Sequence, residues 1–460
     1  MTETVDLAVI GAGPAGMAAA TLAAEHGLDV VVYDDNAEPG GQIYRAVETV
    51  ARDRAKDFAF LGESYRAGAE LTRAFRASRA RYEPGTTVWL VQKDRTIGIS
   101  RDGKARMVAA KRILIATGAL ERPVPIPGWT LPGVMSVGAA QSVLKSAALA
   151  PKQPVVLAGK GPLLFLVAAQ YVAAGVKIAA ILETGARKWD ALPHLWQAWS
   201  KTNYIGKGLE LIRAIERAGV TVVRNAVSDL KAIGRERVEA VTFSADGSPG
   251  RIETALLLLH EGVISNVQLT MAIPVKHAWN ATQRCWQPVL DARGNTDVDG
   301  IAVAGDSGGI AGAEAAAHMG RIAALDALRA FGRIDGPTFA AMIVVEEVAQ
   351  KRLLAARPFL DALYPPPDTA AAIADDTIVC RCEEVTAGDI RKAVDLGCTG
   401  PNQTKSFTRA GMGPCQGRMC GLTVAEIIAA KLNRPMEEIG YYRIRPPIKP
   451  LTVGELAALE

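Results

Sequence analysis

Six cysteines occur in 460 residues, and five of them lie between positions 380 and 420. Four have the spacing C-x-C-x32-C-x4-C: Cys380 and Cys382, then Cys415 and Cys420. Two close pairs of thiolates are the donor set of a 2Fe-2S cluster, one pair for each iron. Glycines at 411, 413, 417 and 421 let backbone N–H groups approach the sulfurs. Such a cluster moves single electrons, so the rest of the chain should generate or consume them. Structural zinc is an alternative, although it usually takes C-x2-4-C pairs and C-x-C is tight for it. Disulfides would need an oxidising compartment that nothing in the chain suggests. Buried thiols without metal rarely cluster this way. Cys398 fits no ligand spacing and Cys285 stands alone, and both read as packing residues.

The elements that would feed such a centre begin at the N-terminus. Residues 5–10 form a short apolar run with β character, followed by Gly11-Ala12-Gly13-Pro14-Ala15-Gly16, an Ala-rich helix and a second strand ending at Asp34-Asp35. This is a complete βαβ dinucleotide fingerprint. Gly11 permits the tight turn, Gly13 lets a pyrophosphate approach the backbone, and Gly16 lets helix and strand pack closely. The helix N-terminus faces the phosphates, and Asp34 is placed to accept hydrogen bonds from a ribose. A βα turn that holds no ligand is the bland alternative.

A Gly-Gly turn at Gly40-Gly41-Gln42 comes next, then a charged helical stretch over 45–82 that reads as an insertion. A strand ends at Ala116-Thr117-Gly118, and prolines at 123, 125, 127 and 132 mark a domain crossing. A second βαβ unit starts with Gly159-Lys160-Gly161 and ends at Glu183, in the ribose position. Its third glycine is replaced by Leu164, which should hold the helix off the strand and narrow a pyrophosphate site. NAD(H) binding there is therefore left open, beside a degenerate domain. Residues 238–243, a turn at Asp246-Gly247 and residues 256–259 suggest a β-meander, with 260–266 in the place of the exit strand. A later strand ends in Ala304-Gly305-Asp306, and the helix after it should aim its N-terminus at the same ligand. Residues 338–363 read as a helical connector, and Tyr364-Pro365-Pro366-Pro367 as a semi-rigid linker. Residues 441–451 read as an extended strap.

Several function classes are excluded. Net charge is +4 and no Lys/Arg run stands out, so nucleic-acid binding is not indicated. The N-terminus lacks the pattern of a signal peptide, and the most apolar window, 155–182, carries lysines, glycines and a proline, so no membrane span is expected. A cytoplasmic protein, or one peripheral to the inner membrane, suits reduced thiols. No C-x-x-C lies near the glycine motifs, so a disulfide relay is absent. The five histidines show no metal or triad spacing; His318 is the one to compare with the cofactor. No substrate acid or base stands out, and the catalytic residues stay unassigned.

The motifs Gly11–Gly16, Gly41-Gln42, Ala116-Thr117-Gly118 and Gly305-Asp306 resemble, in this order, the FAD contacts of glutathione-reductase-like and thioredoxin-reductase-like flavoproteins. Cys380-Arg381-Cys382-Glu383-Glu384-Val385-Thr386 and residues 411–421 resemble the bacterioferritin-associated-ferredoxin-like 2Fe-2S module. The whole chain resembles the α (A) subunits of bacterial heteromeric flavin dehydrogenases, among them opine oxidases, proline and hydroxyproline dehydrogenases and hydrogen cyanide synthase. Pro39–Arg45, Ala311-Gly312-Ala313-Glu314 and Gly400-Pro401-Asn402-Gln403 carry that resemblance. It implies an α/β fold of two Rossmann-like domains plus a small helical 2Fe-2S domain. The expected divisions are 1–122 with 285–335 for FAD, 123–284 for the second nucleotide domain, 336–374 for the connector, 375–430 for the cluster and 431–460 for an extension. It also implies a catalytic β subunit with its own FAD, a small third subunit, FMN at a subunit interface, and a quinone or an electron-transfer protein as acceptor. The expected role is that of the electron-transfer component in an amino-acid or opine dehydrogenase. The alternatives are a self-sufficient NAD(P)H:acceptor oxidoreductase and a non-catalytic redox or assembly subunit.

Overall fold

The apolar run near the N-terminus becomes the strand Thr4–Ile10, inside a seven-stranded sheet. The computed structural model describes residues 4–185, 188–201, 204–224, 227–368 and 370–459. Thr4–Ile10 pairs in parallel with Val30–Asp34 on one side and with Lys104–Ile115 on the other. Ile301–Val303 returns to the C-terminal end of Lys104–Ile115, also in parallel. The strand ends therefore converge on the loops at Gly11, Asp34, Ala116 and Gly305, where open α/β sheets bind ligands.

Two small-residue helices cover this sheet. Pro14–Glu25 buries Ala15, Ala18, Ala19, Ala20, Ala23 and Ala24, and it packs against Ala313–Ala330. Alanine favours helix at little entropic cost, and small side chains let two helix backbones approach. The approach is tight: a Cβ on Gly320 would lie 2.1 Å from the Ala15 carbonyl oxygen. Residues 45–82 supply the expected helices, among them Val47–Asp53 and Gly68–Ala77, except at the end, where Arg81 and Tyr82 open the strand Arg81–Pro84 that pairs with Val30–Asp34.

The second sheet runs Val222–Val223, Ile178–Glu183, Val155–Lys160, Leu257–Glu261, Val134–Ser136, all parallel. Val155–Lys160 is buried along its whole length, as a strand covered on both faces must be. One expectation is corrected here. Leu257–Glu261 belongs to this parallel sheet and not to the meander. The meander is instead Val227–Ile233, Ala240–Ala245 and Ser248–Glu253. Its last turn is Asp246-Gly247, both with positive φ, as a two-residue hairpin requires.

The chain crosses between the nucleotide units on an antiparallel pair, Ala119–Glu121 with Val263–Ser265. It thus leaves the second sheet before 263, earlier than the expected boundary at 284. The hairpin His277–Asn280 with Cys285–Pro288 then packs into the core of the first sheet through the buried Cys285.

After the connector helices Gly336–Leu354 and Arg357–Leu363, the cysteine region forms a small unit. The short pair Ile378–Cys380 and Val385–Thr386 leads into helices Ala387–Asp395, Pro401–Thr408 and Gly421–Leu432. Its core is continuous with one face of the first sheet, so Val5, Ile113 and Ile301 share a cluster with Val379, Cys420 and Ile427. Trp129 Nε1 donates to the Ile378 carbonyl at 2.7 Å, and the Arg284 guanidinium reaches Glu426 at 3.3 Å. No helix among the described residues is long and apolar enough to cross a membrane.

Candidate active site

A cavity of about 650 Å³ lies between the first glycine loop and the crossover strands. It is lined by thirteen of the fourteen positions expected to hold FAD: Gly11, Gly13, Pro14, Ala15, Asp34, Asp35, Gly41, Gln42, Ala116, Thr117, Gly118, Gly305 and Asp306. Gly16 lies beneath it, where a Cβ would come within 1.9 Å of the Gly11 carbonyl oxygen. Gly11 itself has φ +105°, and a Cβ there would lie 2.5 Å from the Ala116 oxygen. A Cβ on Gly41 would lie 3.0 Å from the Gly13 Cα. Side chains at Gly11 and Gly16 would strike backbone and push the loop out of shape, and one at Gly41 would close on Gly13.

The charges also suit a dinucleotide. Asp34 is buried; one carboxylate oxygen accepts from Ala12 N at 2.6 Å and the other from Asn36 N and Nδ2 at 2.7 Å. It thus fixes the glycine loop while standing at the ribose position. Asp306 accepts from Ala311 N at 2.8 Å and Gly312 N at 3.0 Å, which pins the start of helix Ala313–Ala330. Neither that helix nor Pro14–Glu25 has a side-chain cap, so two positive helix ends face the cavity. These residues would hold an FAD, with Asp34 at the ribose position and the crossover strands at the other end of the cavity.

Other residues here carry no local sequence signal. Glu121, at the end of the first crossover strand, lines the cavity. Its carboxylate accepts from Gly138 N, at the start of helix Val137–Ala147, at 2.9 and 3.2 Å. It also meets His260 Nδ1 at 2.6 Å. Gln268 and Arg418 line the cavity from the other side. Both lead to the cysteine loop: Gln268 Nε2 donates to the Gln416 carbonyl at 2.7 Å, and Arg418 Nε to the Cys415 carbonyl at 3.1 Å. Lys449, on the strap, pairs with Asp35.

The four spaced cysteines come together. Cys382 and Cys415 have their sulfurs 4.0 Å apart, and Cys380 shares a hydrogen bond with the buried Cys420. The close approaches therefore join one member of each sequence pair, whereas the spacing suggests one iron per sequence pair. The second pair lies on the stretch between helices Pro401–Thr408 and Gly421–Leu432, which the fold brings back against the strand ending at Cys380. The Cys380 thiol is lowered to about 6, chiefly by the Cys420 hydrogen bond and then by backbone N–H groups of Gly411, Glu383 and Cys382, against the upward push of burial. Cys420 is pushed up by the same bond and by burial. Backbone donors that favour a thiolate suit a metal-bound sulfur. Among the described residues no three Cys, His, Asp or Glu side chains are arranged to hold a single metal ion. Two thiol pairs fit a two-iron unit.

Only part of the glycine reading holds. Gly411 does donate toward Cys380, but the motif's glycines chiefly make room. A Cβ on Gly413 would lie 2.2 Å from the Cys382 Cβ, and on Gly411, Gly417 or Gly421 it would strike Tyr442 or Tyr441. Cys398 and Cys285 are buried packing residues, and burial pushes the Cys285 thiol up.

The second glycine loop is differently furnished. Gly159 approaches the next strand so closely that a Cβ would lie 1.8 Å from the His260 oxygen. Gly161 has φ +106°, and Leu164 is fully buried beneath the loop. Lys160, the last residue of the strand that leads into the loop, is buried and 3.8 Å from Glu261. Glu183 is buried close to Tyr364 of the proline linker, whose phenol is pushed up to about 12 by burial first and by Glu183 among the charges. His318 lines neither site; its ring meets Glu346 at 2.6 Å on the connector helix.

Known proteins resemble this chain over its whole length. The family described as pyridine nucleotide-disulphide oxidoreductase matches residues 5–320. The sarcosine oxidase A3 domain matches residues 375–460, so that match runs past the cysteines through the strap. The A subunit of opine oxidase from Rhizobium meliloti is 42% identical, with 100% of this chain and 88% of that protein covered. Hydrogen cyanide synthase subunit HcnB of Pseudomonas protegens is 31% identical, covering 96% of this chain and 95% of that one. The crystal structure of L-proline dehydrogenase from P. horikoshii superposes with a TM-score of 0.72 at 21% identity, over 99% of this chain and 80% of that one, and shares the fold.

Proposed function

Since the chain belongs to the pyridine nucleotide-disulphide oxidoreductases and, within them, to the family of the opine oxidase A subunits, we propose that it is the electron-transfer subunit of a multisubunit flavin dehydrogenase oxidising the C–N bond of an amino acid or opine. The family is one of flavin oxidoreductases. A bound FAD would accept two electrons and release them singly, and a 2Fe-2S cluster would carry them one at a time. Gly11, Gly13, Gly41, Asp34 and Asp306 would hold the FAD, and Cys380, Cys382, Cys415 and Cys420 the cluster. One observation carries the reading. Arg418 lies on the loop between two of these cysteines and also lines the dinucleotide cavity. The two centres would then be separated by a single loop, which keeps an electron transfer short.

In this reading the residues of the chain position and insulate the two centres. Gly13 and the open helix N-termini orient the pyrophosphate, and Asp34 orients the ribose. Tyr441 and Tyr442 pack over the cysteine loop and exclude water from the buried pair. Oxidation of the amine falls to a partner, because among the described residues every carboxylate that lines the cavity is already engaged: Asp34 by Ala12 and Asn36, Asp35 by Lys449, Asp306 by Ala311 and Gly312, and Glu121 by His260 and Gly138. Exposed tryptophans at 189, 196 and 199 are of the kind that partners cover. We place FMN at such an interface and the complex in the cytoplasm or against the inner membrane. The test is to purify the chain anaerobically with its partner subunits, measure flavin and iron, and add octopine, nopaline, proline and hydroxyproline separately. Flavin and iron that are reduced by one of these only when partners are present support the reading. Reduction of the isolated chain by NADH sinks it.

A further inference from the structure

Glu121, half-buried, and His260, buried, form a dyad that joins the flavin cavity to the second glycine loop. Glu121 lines the cavity at the crossover strand, away from the adenosine end marked by Asp34. His260 is 3% exposed and closes on it at 2.6 Å through Nδ1. The other side of the imidazole faces Gly161, where a Cβ would lie 3.6 Å from Nε2. The sequence makes space for this pair. A Cβ on Gly138 would lie 2.6 Å from Glu121 Oε2, so a side chain there would displace the carboxylate. The Gly138 N–H instead donates to it, and the positive end of helix Val137–Ala147 lies against it.

We propose that Glu121 and His260 are the proton-transfer pair of the flavin site, with Glu121 as the group that meets the cofactor and His260 as the positioning residue that shares the proton. This rests on the flavin reading above. A flavin that carries two electrons and one proton releases that proton on reoxidation, while the two electrons leave one at a time to a one-electron acceptor. Glu121 accepts the proton and the His260 ring shares it across the 2.6 Å contact, and the reverse transfer accompanies reduction. The pair gains one proton, and with it one unit of positive charge, for each flavin reoxidised, and gives both back when the flavin is reduced again.

Other charges press on the pair from every side. Glu261 follows His260 in the same strand, Lys160 lies 3.8 Å from Glu261, and Arg122 follows Glu121 with its guanidinium on the carbonyls of Gln283 and Arg284. Burial pushes the Glu261 carboxyl up, so it takes protons more readily than an exposed glutamate. None of these three lines the cavity, and Glu121 does.

The test uses the whole complex, with Glu121→Gln and His260→Asn variants and Glu121→Asp as the conservative control. FAD content is measured first, then the flavin midpoint potential across pH, and then reoxidation by ferricyanide in H2O and D2O. Glutamine keeps an oxygen for the Gly138 N–H, so FAD content is expected to stay near that of the native complex. The expected result is a bend in the potential–pH plot that is lost in both variants, reoxidation slower by about 10²-fold, and a solvent isotope effect that shrinks. Partial recovery is expected in Glu121→Asp. An unchanged bend and isotope effect overturns the proposal. So does loss of FAD from both variants, which would make the pair a structural cap. Ferricyanide takes electrons from flavin directly, so absence of iron would sink the cluster reading and leave this result standing.

Discussion

Lys449, near the C-terminus, is ion-paired with Asp35, at the end of the first βαβ unit and 414 residues away in sequence. The strap that carries Lys449 also donates Ile448 N to the Trp89 carbonyl at 3.0 Å. It therefore crosses from the cysteine unit to the adenosine end of the cavity, which both residues line. Both partners are partly exposed, so solvent screens the pair and its worth is at most about 1 kcal/mol. Lys449→Met should weaken FAD retention by up to about fivefold. Asp35→Asn should do the same, and the double variant should cost no more than either alone. Isothermal titration of the deflavinated protein with FAD checks this; additive losses would mean the pair does not act as a unit.

The cysteines separate by exposure as well as by spacing. Cys380 and Cys420 are buried, so replacing them disturbs packing whether or not iron is bound. Cys382 is exposed and Cys415 half-buried, so serine there is a cleaner probe. Cys382→Ser and Cys415→Ser should each remove most of the iron and the visible cluster absorption, with little change in melting temperature of the flavin domain. Cys398→Ser should keep the iron. Iron analysis beside a thermal melt decides it, and equal iron in all three variants would refute cluster ligation by this set.

The parts legible in the sequence are those written in local spacing. Glycines at 11, 13 and 41 and acids at 34 and 306 announce themselves because a close backbone approach tolerates few side chains, and all five line the cavity. Residues that meet only through the tertiary fold carry no such mark. Glu121 and His260 are 139 residues apart, and nothing around either one distinguishes it from a surface acid or a core histidine. Residues 256–259 mislead for a different reason. A short apolar run fits a half-buried hairpin strand and a fully buried parallel strand equally well. Burial of Leu257 and Leu258 on both faces of the second sheet shows which it is.

The second nucleotide loop leads to a prediction about NADH. Leu164 is buried under the loop, Lys160 is turned to Glu261, and Tyr364 stands beside Glu183. A dinucleotide would meet a loop floored by Leu164 whose lysine is already paired with Glu261. Excess NADH under anaerobic conditions should leave the flavin band of the isolated chain unchanged over minutes. Tyr364→Ala should not confer reduction, because the loop obstruction stays. Bleaching of the native chain within the mixing time would show a working hydride site and would reassign this domain.

Lys145 supplies a pH test of how the cavity wall is built. It is 1% exposed on helix Val137–Ala147, and its ammonium donates to the carbonyls of Gln42 and Ile43 and to Gln141 Oε1. It thereby ties the Gly41-Gln42 turn to that helix. Burial first, and Arg45 second, lower its pKa to about 7. The unfolded chain keeps an ordinary lysine near about 10.4. Between about pH 7 and 10.4 the unfolded state therefore binds more protons, and stability from this group rises with pH. Below about 7 the lysine is charged in both states and the contribution is flat. Lys145→Met removes that dependence and also leaves the Gln42 and Ile43 carbonyls without their donor. The melting temperature of the native chain relative to the variant should therefore climb from pH 7 to pH 10, on top of a constant offset from the lost hydrogen bonds. A difference that stays level over this range would mean the three acceptors hold Lys145 charged in the folded protein.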